Sequence, residues 1–256
     1  AADGSSIKLM SGNTFRFRED GSRVEQYTSG QVNPFGMTSD EWGNWYTADC
    51  HSKPLTALLP GACYESFGRP HDGMGFAPDM MQHLHGSTAI SGLMYYQGTA
   101  FPPAYRQRFY SGNVMTSRIN ANELVWQGAT ATARELPDFL TCDDPWFRPV
   151  DIQMGPDGAL YVADFYNKII GHYEVPLTHP GRDRDSGRIW RISYAQNQPA
   201  TVPPLATATR LSDIDVQLTS VNPMRRRAAV ETWLEASSND AGSEELNRLF
   251  AGNWEA

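Results

Sequence analysis

The chain has 256 residues, 40% of them hydrophobic and 11% aromatic, with a formal net charge of -8. Such a composition is that of a folded protein with a sizeable core, which sets bulk disorder aside. The acidic balance argues against a nucleic-acid partner, since no lysine-rich face is there to neutralise phosphates.

No run of eighteen apolar residues occurs, so no membrane span is expected. Ala1–Leu9 has neither a charged n-region nor an apolar h-region and is not a signal peptide. Either a signal has been removed or the chain starts inside a longer protein. In chain order, Thr14–Phe17 alternates and ends at the turn Glu19-Asp20-Gly21. Gly36–Thr38 and Asn44–Thr47 flank Asp40-Glu41-Trp42-Gly43, a second hairpin. Ser91–Val125 is a further strand-rich unit. Asp151–Met154 and Ala159–Ala163 flank Gly155-Pro156-Asp157-Gly158, the clearest hairpin, whose Asp-Gly pair supplies the positive φ of a tight turn.

Short apolar stretches every eight to twelve residues mark an all-β fold. A weak repeat favours a propeller over a sandwich: Asn33–Asp49 parallels Arg148–Asp164, each with a proline, a strand, an acidic-Gly turn, an aromatic strand and a closing Ala-Asp. About three blades are countable. Three cannot close a ring, so the expectation is a partial β-propeller whose missing blades lie before Ala1 or on a partner chain. Residues 1–195 form the blades, 196–210 a Pro, Ala and Thr linker, and 211–256 a helical segment. In the last, Asn222 caps a helix with Pro223 at its first position, and Ala228, Ala229, Trp233 and Leu234 form an apolar stripe opposite Arg225, Arg226 and Arg227. Glu244–Phe250 reads as a second helix, and the pair as the opening of a short α-helical, HEAT-like tail.

Three cysteines, Cys50, Cys63 and Cys142, make no disulfide framework and read as free thiols, with a Cys50–Cys63 bridge as the alternative. No C-x-x-C-H occurs, so this chain encodes no haem site. Two regions concentrate polar chemistry. His71, Asp72, His83 and His85 lie within fifteen residues, a set suited to metal binding or acid–base work, or to structural hydrogen bonds. The long, charged insertion between Ala163 and Arg188 holds His172, Glu174, His179, Arg182, Asp183, Arg184 and Asp185, with Tyr166 and Asn167 at its start. Insertions of that length between strands are functional or serve as rigid surface networks. Asp49 and Asp164 match in the repeat and read as turn caps. Asp143 and Asp144 are candidate calcium ligands.

The run Asp143–Tyr194, with "VNPFGM", "DCHS", "SFGRPHDGMGF", "HLHGSTAISG" and "GNVMTSR", resembles the large membrane-bound dehydrogenase-like propeller proteins of planctomycetes and verrucomicrobia. That resemblance implies export to the periplasm or outside the cell, a propeller before HEAT-like helices, and a c-type cytochrome domain of the parent protein. More distantly, "HLHGSTAISGLMYYQGTAFPPAYRQRFYSGN" and "RPVDIQMGPDGALYV…GRIWRISY" are similar to the soluble glucose and L-sorbosone dehydrogenases, which use pyrroloquinoline quinone (PQQ) and calcium. Where that family has a quinone-contacting arginine before Asn-Pro, this chain has Val32.

The resemblance implies a fragment of an exported sugar or alcohol oxidoreductase, with a carbohydrate or other small polyol as substrate. His71 or His85, with Asp72, would take the hydroxyl proton. His51, His83, Arg148, Tyr166, Asn167, His172, His179, Arg182 and Arg184 would line the substrate or cofactor site. The alternative is a non-catalytic carbohydrate-binding propeller module.

Overall fold

Turn chemistry fixes where each strand begins and ends. The computed structural model describes residues 1–10, 12–51, 53–70, 72, 74–82, 85, 89–171, 175–195 and 217–236, with side chains in the last segment described to residue 232. At the Asp40 turn, Asp40 Oδ1 accepts the amides of Trp42 and Asn44, both at 2.9 Å, which reverses the chain. Its other oxygen accepts the Tyr46 hydroxyl at 3.1 Å. Burial, with the Asp40 charge beside it, pushes the Tyr46 phenol well above its ordinary pKa. At Gly155–Gly158 the Asp-Gly signal holds: Asp157 Oδ1 accepts the Ala159 amide at 3.1 Å and Gly158 takes φ +77°.

The strands are β1 (Asn13–Arg16), β2 (Glu25–Ser29), β3 (Pro34–Ser39), β4 (Trp45–Asp49), β5 (Thr56–Leu58) and β6 (Ile90–Tyr95). They continue with β7 (Phe109–Asn113), β8 (Arg118–Gln127), β9 (Thr130–Thr141), β10 (Pro149–Met154), β11 (Leu160–Asp164) and β12 (Arg188–Ile192). Four sheets result, ordered β1-β2, β3-β4-β5, β6-β7-β8-β9 and β10-β11-β12. Each is a meander in sequence order, so the protein is mostly β. The unit Ser91–Val125, least regular as a repeat, belongs to the sheet with the most strands. β2, β5 and β9 had no counterpart among the strands expected from the sequence.

First strands of successive sheets lie side by side. A Cβ on Gly36 in β3 would fall 2.6 Å from the Gly92 carbonyl carbon in β6. A Cβ on Gly92 would fall 2.8 Å from the Asp151 Cα in β10. No side chain fits between backbones at that spacing, and Gly92 in addition takes φ +62°, a left-handed angle that favours glycine. Register slips between Pro34 and Met37 and between Ser91 and Met94, so both first strands are irregular at the glycine.

A second regularity ties strand ends. Pro34 pairs with Asp49 and Ile90 with Asn113, the last residues of β4 and β7. Asp164 closes β11 in the same way. Between the second and third sheets sits an aromatic core in which Phe109 meets Tyr46 and Tyr95, each at 4.8 Å between ring centres. Ala48, Leu55, Met80, Met81, Ile90 and Leu93, all buried, complete it.

The described residues form two compact units. One comprises Ala1–Tyr96, Gln107–Gln153 and Tyr161–Arg191, and the other Gln97–Arg106, Met154–Leu160 and the described residues from Ile192 onward. In the second lies α1 (Pro223–Ala236), capped as its sequence says: Asn222 Oδ1 accepts the Met224 amide at 2.9 Å. Asn222 Nδ2 and Arg225 Nε also donate to the Pro156 carbonyl, so Arg225 is a clamp and not merely helix surface. Among the described residues α1 is the one long α-helix, and a single helix carries no HEAT-like array. Glu244–Phe250 lies outside the described residues.

Candidate functional site

The polar insertion Phe165–Gly187, which joins β11 to β12, emerges where Asp164 closes β11. Asp164 is buried and accepts four hydrogen bonds. Oδ1 takes the Arg148 and Tyr166 amides at 2.8 and 2.9 Å. Oδ2 takes Arg188 Nε at 2.8 Å and Trp190 Nε1 at 3.0 Å. Asp49 does the corresponding work two sheets earlier, accepting the amides of Val32, Asn33 and His51. Both aspartates cap the turn that follows, through the His51 and Tyr166 amides, and beyond that reading they tie the entry of a first strand to the exit of the second. Asn113, at the same register, accepts the Thr116 amide.

Around Asp164, Arg188 stacks 4.0 Å above the Tyr166 ring and reaches Asp144 Oδ2 at 3.0 Å. Trp146 packs on Tyr166, with 5.1 Å between rings. The Trp146 amide, and then Arg188, hold the Asp144 carboxyl below its ordinary pKa. Tyr166 takes a left-handed φ of +50°, an angle costly for a side chain this large unless its surroundings fix it.

Arginine organises the insertion itself. Arg182 donates to the carbonyls of Gly171, Val175 and Pro176. Arg184 donates to Leu177 O, and Asn167 Nδ2 to Asp183 O at 2.7 Å. Asp183 Oδ1 accepts the Asp185 and Ser186 amides, both at 2.9 Å. Those bonds, with one from the Ser186 hydroxyl, hold its carboxyl below the usual range. The result is an open recess of about 440 Å³ lined by Phe165, Asn167, Leu177, Thr178, Arg182, Asp183 and Arg184. Phe165 and Leu177 are half-exposed or more, at 50% and 68%.

Of the residues expected to bind, the recess gathers Asn167, Arg182 and Arg184, with Tyr166 beside them in the chain. Asp183 was named as part of the charged insertion though not as a binding residue, and Phe165, Leu177 and Thr178 were missed. A polar insertion gave no sign of which apolar groups it would hold outward. His179 is exposed, and its Nδ1 accepts the Gly181 amide at 3.0 Å. Arg148 points inward: Nε donates to Asn167 O, Nη1 to Val114 O and Ser117 Oγ, and Nη2 to Lys168 O. Burial, against the charges of Asp164 and Asp144, pulls its pKa below that of an ordinary arginine. His51 is exposed, its ring 6.1 Å from that of Phe67.

The expected acid–base set does not gather among the described residues. Asp72 is exposed, whereas the His85 ring is sealed within the four-stranded sheet. There Nε2 lies 3.0 Å from Asn122 Oδ1 and Nδ1 lies 3.3 Å from Glu135 Oε1. His71, His83 and His172 fall outside the described residues. All three cysteines are free thiols. Burial, and then the neighbouring Asp49 charge, push the Cys50 thiol upward.

The family described as domain of unknown function DUF7133 matches residues 2–196, which takes in all twelve strands. The chain belongs to that family. No curated protein matches this DUF7133 chain. Among solved structures it is similar to a protein of Thermus thermophilus assigned as an oxidoreductase (glucose dehydrogenase), with TM-score 0.48 and 18% identity, over 68% of this chain and 48% of that one. The soluble aldose sugar dehydrogenase of Escherichia coli, in its apo form, gives 0.45 and 21%, over 57% and 46%. The PQQ-bound aldose sugar dehydrogenase of Streptomyces coelicolor gives 0.43 and 17%, over 66% and 45%. The DUF7133 chain thus spans less than half the length of each of these three.

The residues of the DUF7133 chain expected to hold a quinone do not fit one as they are placed. An anionic quinone needs cationic donors turned toward it. Val32, which the sequence resemblance sets where a quinone-contacting arginine would be, has its amide bonded to Asp49. Arg148, Arg182 and Arg184 donate to carbonyls of the chain itself, and Arg188 is paired with Asp164 and Asp144. Calcium at Asp144 would compete with Arg188 and the Trp146 amide for the same carboxylate. Among the described residues no group of three His, Cys, Asp or Glu side chains is placed to hold a metal ion.

Proposed function

We propose that this chain supplies blades of a partial β-propeller of the sugar-dehydrogenase kind, and that its contribution is recognition of a saccharide or small polyol. The recess on the Phe165–Gly187 insertion carries the reading. It places an exposed aromatic face, Phe165, beside a hydroxyl, Thr178, and a carboxylate–guanidinium neighbourhood, Asp183 and Arg184. A sugar ring matches that chemistry: its C–H face covers an aromatic ring while adjacent hydroxyls both donate and accept. Arg182 and Asp183 bind the insertion's own backbone, so the recess is preorganised and binding need not order it.

The blade reading rests on the meander repeated in four sheets, the close approach of β3, β6 and β10, and the repeated closure at Asp49, Asn113 and Asp164. Export, and an electron-accepting partner on the parent protein, rest on the sequence resemblance alone. We place the redox step, if the whole protein performs one, outside these residues. A sealed His85 cannot take a proton from a bound hydroxyl, and Arg148, Arg182, Arg184 and Arg188 are all engaged with groups of the chain itself.

Two assays on the intact protein separate the readings. Calorimetric titration with glucose, xylose, sorbitol and maltose should show binding that Phe165→Ala weakens about tenfold. Dye reduction with the same compounds, after PQQ and calcium have been added, should stay at background. Absence of binding by all four would sink the recognition reading. PQQ-dependent turnover would restore the dehydrogenase reading for this chain.

A further inference from the structure

At the ends of β3 and β6 opposite Pro34 and Ile90, a second recess of about 290 Å³ opens between the Asp40 turn and the start of β7. Two tryptophans flank it, Trp42 at 81% and Trp126 at 53% exposure. Large aromatics so exposed forgo the burial that normally stabilises them, which marks a surface shaped for a partner. Neither is on a loose segment. Trp42 is held in the turn by its amide bond to Asp40, and Trp126 lies within β8, paired with Ala131 of β9.

The same recess is lined by polar groups already fixed in place. Glu41 Oε1 accepts Gln107 Nε2 at 3.1 Å, and the Tyr95 hydroxyl hydrogen-bonds Glu41. Arg108 is gripped by Glu123 Oε2 at 2.8 Å. Yet Arg108 Nε is buried with no hydrogen-bond partner among the described residues. A desolvated guanidinium donor left unpaired is costly, and the Arg108 side chain, 27% exposed, still offers guanidinium surface to a ligand oxygen.

We infer that this recess is a second binding site, for a neutral saccharide. Indole faces take the C–H side of a pyranose, while Glu41, Gln107 and Arg108 supply acceptor and donors for its hydroxyls. Glu41 and Asp40 are both among the lining residues, and their negative charge would repel a uronate or a sialic acid. A proline-rich peptide would use the aromatic groups but would leave the Glu41–Arg108 polar floor unmatched. The site shares no residue with the Phe165 recess and stands whether or not that one binds sugar.

The test is fluorine NMR of the intact protein labelled with 5-fluorotryptophan, with the Trp42 and Trp126 signals assigned by Trp42→Phe and Trp126→Phe. Maltotriose, cellotriose and mannotriose are the probes. At least one should shift both signals saturably. Trp42→Ala, at an exposed turn position, should weaken that binding at least tenfold. Glu41→Gln should weaken it too, and Phe165→Ala should leave the shifts unchanged. If no trisaccharide moves the two signals at millimolar concentration, or if Trp42→Ala binds with unaltered affinity, the inference fails. It also fails if a polyproline peptide moves both signals and no saccharide does.

Discussion

The buried carboxylate of Asp164 lies 2.8 Å from Nε of Arg188, and that pair anchors both ends of the Phe165–Gly187 insertion. Asp49, at the corresponding place, accepts three backbone amides instead. Removing each carboxylate therefore asks different questions. Asp164→Ala leaves Arg188 half-buried and partly unpaired and should lower stability by about 3 kcal/mol. Asp49→Ala strands those neutral donors and should cost about 2 kcal/mol. Urea unfolding followed by tryptophan fluorescence compares them. Equal losses would mean that the ion pair adds nothing beyond the amide bonds.

Gly92 is where backbone crowding and backbone angle coincide. Its φ of +62° disfavours any L side chain, and a Cβ would lie 2.8 Å from the Asp151 Cα. Gly92→Ala should destabilise by more than about 1 kcal/mol, since left-handed strain and a backbone clash add. Gly61→Ala is the control: φ is +77° there too, but nothing lies within 4 Å of the added carbon. A Gly92→Ala protein melting no lower than Gly61→Ala would refute the side-by-side packing of β6 and β10.

Hairpins carried by local chemistry were legible in the sequence, because Asp40 and Asp157 bind amides only two to four residues away. β9 was not. Its exposure alternates weakly along Thr130–Thr141, and Pro137 lies within it, so it has no clean apolar face and the marks of a sheet edge. His85 was grouped by nearness in sequence with His71 and His83, which lie outside the described residues. Its ring neighbours, Asn122 and Glu135, are brought to it by β8 and β9. The polar insertion stood out by length and charge, but the recess within it depends on which carbonyls Arg182 and Arg184 reach. Trp42 and Trp126 come from separate sheets, and no local pattern joins them.

Cysteine reactivity checks the packing around Asp49. Cys50 is buried, its thiol accepts Asn33 Nδ2 at 3.0 Å, and burial and then the Asp49 charge raise its pKa. A raised pKa leaves less thiolate at neutral pH, and the thiolate is the nucleophile. In the native protein at about pH 7.5, iodoacetamide should modify the half-buried Cys63 and Cys142 before Cys50, and in urea all three at similar rates. Peptide mass spectrometry gives the order. Early labelling of Cys50 would contradict its place behind β4.

Asp183 makes the Phe165 recess sensitive to acid. Its folded pKa is depressed, first by the Asp185 amide and next by the Ser186 hydroxyl, so those bonds favour the charged carboxylate. A depressed carboxylate contributes its stabilisation in full above the unfolded value, about 3.9, and loses it as pH falls through the lower folded value. The amide resonances of Asp185 and Ser186 should therefore be flat from about pH 7 to 5 and move together with a midpoint below that unfolded value. Asp183→Asn should abolish the movement and also the low-pH loss of any saccharide bound in the recess. A midpoint at or above the ordinary aspartate value would show that the two amides do not grip the carboxylate in solution. The preorganised recess would then lose its support.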